Sequence, residues 1–191
     1  MANLAYQHLG QQYYDAAVRL LEAIQHGDAD DSQLAHPVLY LYRHSVELFL
    51  KAALGRAAKS HDLAELATQF KARLKAKLNA ELPAWITNRI AELAAIDPSS
   101  TAFRYSETWD KAAKTHVPLE GELHVDAAHL KDAMSALNTA LGDFIHALAR
   151  AEDRSPQAVS SRAVAPAFTR YIGIDYSGAE TPRSPAHSRG R

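Results

Sequence analysis

Apolar side chains return at spacings of three and four in five separate stretches of this 191-residue chain. That period puts each set on one face of a helix, and five such faces need one another to be covered. β-branched residues are sparse and Ala and Leu abundant, which favours helices over strands. The expected fold is therefore all-α, an up-and-down bundle of about five helices. At 47% apolar and 23% charged, the chain has ordinary globular composition and enough apolar residues for a core.

The first helix is expected over about Leu4 to Gln25, with Leu9, Tyr13, Ala17, Leu20, Leu21 and Ile24 on its apolar face and Gly27 just past its end. Polar residues Asp28 to Gln33 read as a loop. Pro37 suits a first helical position, so the second helix is expected from there to Gly55, with Val38, Leu41, Ser45, Leu48 or Phe49, and Ala52 inward. A third begins near His61-Asp62 and carries Leu63, Leu66, Phe70, Leu74 and Leu78. A fourth begins near Pro83, carries Ile86, Ile90 and Leu93, and stops before Asp97-Pro98. A fifth runs from about Asp126 to Ala151, with Leu130, Met134, Leu137, Leu141, Phe144 or Ile145, and Leu148 as its stripe. Between the last two, Pro98 to Val125 shows no sustained period, and connections of that length are often functional.

The organisation expected is a helical domain over 1–152 and a flexible basic tail over 153–191. The tail holds six Arg against three acidic residues, a net +3 that leaves the body at −4. Within the tail, residues 170–178 read as a short strand and turn. The near-neutral whole, net −1, gives no overall basic field that would advertise nucleic acid. With no cysteine, thiol catalysis, disulfides and thiolate zinc sites are excluded. No signal-like start and no apolar run of membrane length is present, so a cytoplasmic address and no membrane partner are expected.

The richest stretch runs from Leu39 to Leu54. Arg43, Glu47 and Lys51 stand four residues apart and share one helical stripe, with His44 beside it. Two readings are open. The stripe is a solvated face stitched by two ion pairs, or it faces a groove, a partner helix or the Arg104-Tyr105 loop of the same monomer.

The order of three elements resembles the HEPN family (higher eukaryotes and prokaryotes nucleotide-binding). They are Arg43-His44-Ser45-Val46-Glu47-Leu48-Phe49-Leu50-Lys51-Ala52, then His61-Asp62-Leu63-Ala64-Glu65-Leu66, then Phe103-Arg104-Tyr105 before the final helix. The resemblance covers about residues 4 to 150. It implies a bundle of four or five helices, often a homodimer, and in some members a nucleotidyltransferase-like partner protein. Non-catalytic members bind and dimerise; others are metal-independent endoribonucleases with Arg, four to six residues, then His. Arg56 and His61 have that spacing. A His can serve as acid or base at a ribose 2′-hydroxyl while Arg stabilises the phosphorane. A composite of Arg43, His44 and Arg104 is the alternative catalytic set.

The favoured reading is a HEPN-like dimerisation and binding module for a nucleotide, RNA or partner protein, in a defence or toxin–antitoxin setting. Arg43, Glu47, Lys51, Arg104 and Tyr105 are its expected binding residues. The alternatives are the endoribonuclease, with Arg56, His61 and His44 as catalytic candidates, and a helical scaffold without a small-molecule site. Phe103 and Trp109 either anchor the late loop or, with Arg104, stack a base and meet phosphate. Homodimerisation is expected through apolar surface on the second and fifth helices. No cofactor is implied. No metal is expected, because His124 and His129 miss the four-residue spacing of a helical zinc pair. The tail segment Tyr171 to Gly178 is similar to the opening strand of ribonuclease-H-like folds, with Asp175 at the metal or phosphate position. The 21 residues after Arg170 cannot complete such a domain in this sequence, so a vestige, a truncated fusion or a docking peptide is expected.

Overall fold

The computed structural model of the chain describes residues 4–55, 58–97, 107–110, 114–118 and 126–153. Five helices run in order: α1 Leu4–His26, α2 Asp31–Leu54, α3 Leu63–Leu78, α4 Ala84–Ile96 and α5 Ala127–Asp153. The all-α bundle is thus as expected. The described residues lie in one unit, 1–158. The tail from residue 154, including 170–178 and Asp175, lies outside them.

Each helix ends on local chemistry. After α1, Gly27 takes φ +76°, and Asp28 N–H reaches the Ala23 carbonyl at 2.9 Å while Gly27 N–H reaches Ile24. Those bonds satisfy carbonyls that the helix end would otherwise leave orphaned. The Asp62 carboxylate caps α3, accepting from Ala64 and Glu65 N–H at 2.8 and 3.2 Å. Asn79, left-handed at φ 49°, closes that helix. Asp126 accepts from His129 N–H at 3.0 Å and starts α5.

Three expectations need correction. First, α2 begins at Asp31, six residues before Pro37. Asp30 is its N-cap and accepts from Ser32 N–H at 2.9 Å. Asp, Asp and Ser read as a loop because they lack apolar period, but a helix start needs capping oxygens and negative charge rather than apolar residues. Pro37 therefore sits inside the helix and leaves the Gln33 carbonyl without its usual donor. Second, the long connection between α4 and α5, which shows no sustained period, holds two short strands that the sequence does not signal. It contains an antiparallel ribbon, β1 Glu107–Asp110 and β2 Thr115–Pro118, with Glu107 opposite Pro118 and Asp110 opposite Thr115. Strands of four residues are too short to show alternation. Third, Leu9 is exposed, and Gly10 takes the inward position on α1. A Cβ at Gly10 would lie 3.2 Å from the Phe49 ring, so the missing side chain lets α1 and α2 approach closely.

α2 is the central element. It packs against α1, α3 and α5, and every residue from Ser45 to Gly55 is buried. Leu63, Leu66, Phe70 and Leu74 of α3, Ile86, Ile90 and Leu93 of α4, and Met134, Leu137, Leu141, Ile145 and Leu148 of α5 complete the core with Ala17 and Leu21 of α1. These are the stripes expected from the sequence. Arg73 of α3 donates to the Leu54 carbonyl at 3.3 Å and pairs with Glu152 of α5.

The second half of α2, Ser45 to Gly55, is buried in the bundle, and Met134, Leu137, Leu141, Ile145 and Leu148 of α5 face the same core. The large apolar side chains exposed among the described residues are Leu4, Leu9, Trp85 and Ile96, on α1 and α4. No described helix is long and apolar enough to cross a membrane.

Tyr42 is fully buried against Tyr14, and its hydroxyl has no hydrogen-bond partner among the described residues. Burial pushes its pKa up, because the charged phenolate is the form a dry site disfavours. Tyr42→Phe keeps the ring and removes the unsatisfied group. Its stability to urea should equal the wild type or exceed it by up to about 1 kcal/mol. A loss of more than that would show that the hydroxyl has a partner in solution.

Candidate functional site: a buried charge network beneath an exposed histidine

The stripe of Arg43, Glu47 and Lys51 is not a solvated face. Arg43 and Asp97 are 0% exposed, Glu47 1% and Lys51 7%. Helical spacing of four places the three α2 side chains in line, and the buried flank of α2 turns them toward the start of α3 and the end of α4. Arg43 Nη1 donates to Glu47 Oε2 at 2.9 Å. Its Nη2 donates to the His61 carbonyl at 2.9 Å, and its Nε to the Asp97 carbonyl at 3.2 Å, with the Asp97 Oδ2 at 3.3 Å. All three guanidinium nitrogens are engaged. Lys51 Nζ donates to Glu47 Oε1 at 2.9 Å.

Two cations and two carboxylates are thereby enclosed with no net charge. Taking isolated charges out of water would be very costly, and only complete pairing offsets it. Burial alone pushes the Glu47 carboxyl up. Lys51, Arg43 and His61 together outweigh that and hold it below its ordinary value near 4.5.

His61 is the network's outlet. Its Nδ1 lies 2.8 Å from Glu47 Oε1, while its side chain is 70% exposed. An ionised carboxylate only accepts, so the geometry assigns the proton to Nδ1 and leaves Nε2 as the basic nitrogen of the neutral ring. Lys51 Nζ stands 3.5 Å from the same Nδ1. The backbone beneath the ring is fixed as well. Asp62 N–H donates to Ser60 Oγ at 3.1 Å, and Ser60 Oγ–H donates to Glu65 Oε2 at 2.6 Å. A carboxylate-oriented imidazole facing solvent is equipped for acid–base work. Arg43 is fully buried and Lys51 nearly so, each bonded to Glu47, so neither guanidinium nor ammonium is presented at the surface beside the ring.

Of the residues singled out in the sequence, Arg43, Glu47, Lys51 and His61 thus come together. His44 does not join their hydrogen bonds. It is half-buried between α1 and α2, edge-on to Tyr13 at 4.5 Å and stacked on Tyr40 at 5.7 Å between ring centroids. Burial pushes its pKa down, and Glu47 only partly opposes this, so its neutral form is favoured. It serves as an aromatic spacer between two helices. Arg56, Arg104 and Tyr105 lie outside the described residues. Sequence reasoning missed Asp97, which reads only as the stop of α4. It stands 54 residues from Arg43, and no local pattern links the two. No group of three His, Asp or Glu among the described residues is placed to hold a metal ion.

No family model, curated protein or solved structure matches this chain.

Glu47→Gln should lower stability at neutral pH by about 3 kcal/mol, because Arg43 and Lys51 lose a buried counter-charge. The wild-type carboxyl has a folded pKa below its unfolded one, so its contribution is present above about pH 4.5 and is lost as pH falls through the folded value. Stability of Glu47→Gln should therefore fall less steeply below about pH 4.5 than that of the wild type. Parallel curves in urea titrations across that range would contradict the assignment.

Proposed function

We propose that the chain is a HEPN-like helical module that dimerises and binds a nucleotide, RNA or a partner protein, rather than a nuclease. One observation carries this reading. The cations that the family resemblance offers to a ligand, Arg43 and Lys51, are neutralised inside the monomer by Glu47 and Asp97. They act as a spine that holds α2, α3 and α4 together, so association falls to the outer surface. A defence or toxin–antitoxin setting and a nucleotidyltransferase-like partner belong to this proposal through the resemblance alone.

The exposed ring of His61 favours a second reading, a metal-independent endoribonuclease. With Nδ1 held by Glu47, Nε2 is free to take a proton from a ribose 2′-hydroxyl. The 2′-oxygen then attacks phosphorus, the bond from phosphorus to the 5′-oxygen breaks, and the 5′-oxygen takes a proton from water, leaving a 2′,3′-cyclic phosphate and a 5′-hydroxyl. Arg56, five positions before His61, is the residue that would stabilise the phosphorane in this scheme.

Cleavage of a mixed RNA pool in EDTA separates the two, with His61→Ala and Arg56→Ala alongside the wild type. The proposed module leaves the RNA intact in all three samples. Cleavage by the wild type that both substitutions abolish would overturn it in favour of the nuclease.

A further inference from the structure

We infer that α4 carries the face through which two copies of this chain associate, each inserting Trp85 beside Ile96 of the other. The inference rests on the dimerising half of the proposed function and names its surface.

Trp85, Arg89, Glu92 and Ile96 follow one another at spacings of four, three and four, so they share one stripe of the helix. Trp85 is 44% exposed and Ile96 39%, and both are large apolar side chains facing water. Between them Arg89 and Glu92 form an exposed ion pair at 2.7 Å. The stripe is symmetric about the midpoint between Arg89 and Glu92. Trp85 lies as far before that point as Ile96 lies beyond it.

A twofold axis through the midpoint, perpendicular to α4, has a definite consequence. The second copy of α4 runs antiparallel, its Trp85 falls beside Ile96 of the first, and its Glu92 falls beside Arg89 of the first. Every pairing is made twice, as an isologous interface demands. The stripe is thus complementary to itself in both charge and apolarity.

Ile96 also lines a cleft of about 250 Å³, together with Leu39 of α2, Leu93 of α4, and Leu130 and Met134 of α5. Arg89 and Glu92 are part of the same wall. Ile96, at the far end of the α4 wall of this cleft, lies about 16 Å along the helix from Trp85. An indole knob and an apolar recess therefore sit on one helix at positions that a twofold axis brings together. Trp85 is 44% exposed, so seating it takes on the order of 100 Å² from water, and tryptophan is a common interface anchor.

Sedimentation velocity of the full chain over a range of concentrations tests this, with helicity by circular dichroism confirming that each surface variant is folded. The wild type should dimerise. Arg89→Glu sets two carboxylates against each other twice and should raise the dimer Kd by about tenfold or more. Combining Arg89→Glu with Glu92→Arg reverses both partners and should restore the wild-type Kd. Trp85→Ala should sediment as monomer. A dimer that ignores both Arg89→Glu and Trp85→Ala would overturn this surface while leaving the dimerising module intact. A wild type that stays monomeric throughout would overturn both.

Discussion

The structure depends on one buried arginine. Arg43 projects from the central helix and ties three separate parts of the chain with its three nitrogens: Glu47 on its own helix, the His61 carbonyl before α3, and Asp97 at the end of α4. A guanidinium suits this because its donors form a rigid planar fork and it stays charged. Apolar packing brings the helices together without direction. The Arg43 bonds are directional, and they set where the turn before α3 and the end of α4 lie relative to α2. Lys51 completes the pairing of Glu47 and leaves His61 held at the surface.

Much of the fold was readable because a helix core repeats with a short period. The stripes Leu63-Leu66-Phe70-Leu74 and Met134-Leu137-Leu141-Ile145-Leu148 are local patterns, and all nine residues are buried. Helix starts were less readable where the signal is a capping oxygen, as at Asp30, or where a proline lies inside the helix, as at Pro37. The candidate site was half readable. Spacing puts Arg43, Glu47 and Lys51 on one stripe, but spacing says nothing about whether that stripe faces water. That depended on Asp97 and on the backbone carbonyl of His61, neither of which carries a local signal. Leu9 shows the same limit in reverse, since it keeps the period yet yields the close contact to Gly10.

Burial of the charged stripe changes what the molecule can offer. Cations engaged by Glu47 and Asp97 stabilise the monomer and do not attract phosphate. Among the described residues, His61 is the exposed group bonded to this network, and the large exposed apolar side chains lie on α1 and α4. The bundle encloses Arg43, Glu47 and Asp97 and leaves Trp85 and Ile96 of α4 facing water. The single imidazole, oriented by Glu47, is the feature a nuclease would use.

A double-mutant cycle on Arg43 and Glu47 tests the central claim most directly. Stability in urea would be measured for the wild type, Arg43→Gln, Glu47→Gln and the pair. A buried, fully bonded pair predicts a coupling energy of about 2 kcal/mol or more. A coupling below about 0.5 kcal/mol, the value of an exposed pair one helical turn apart, would contradict the account.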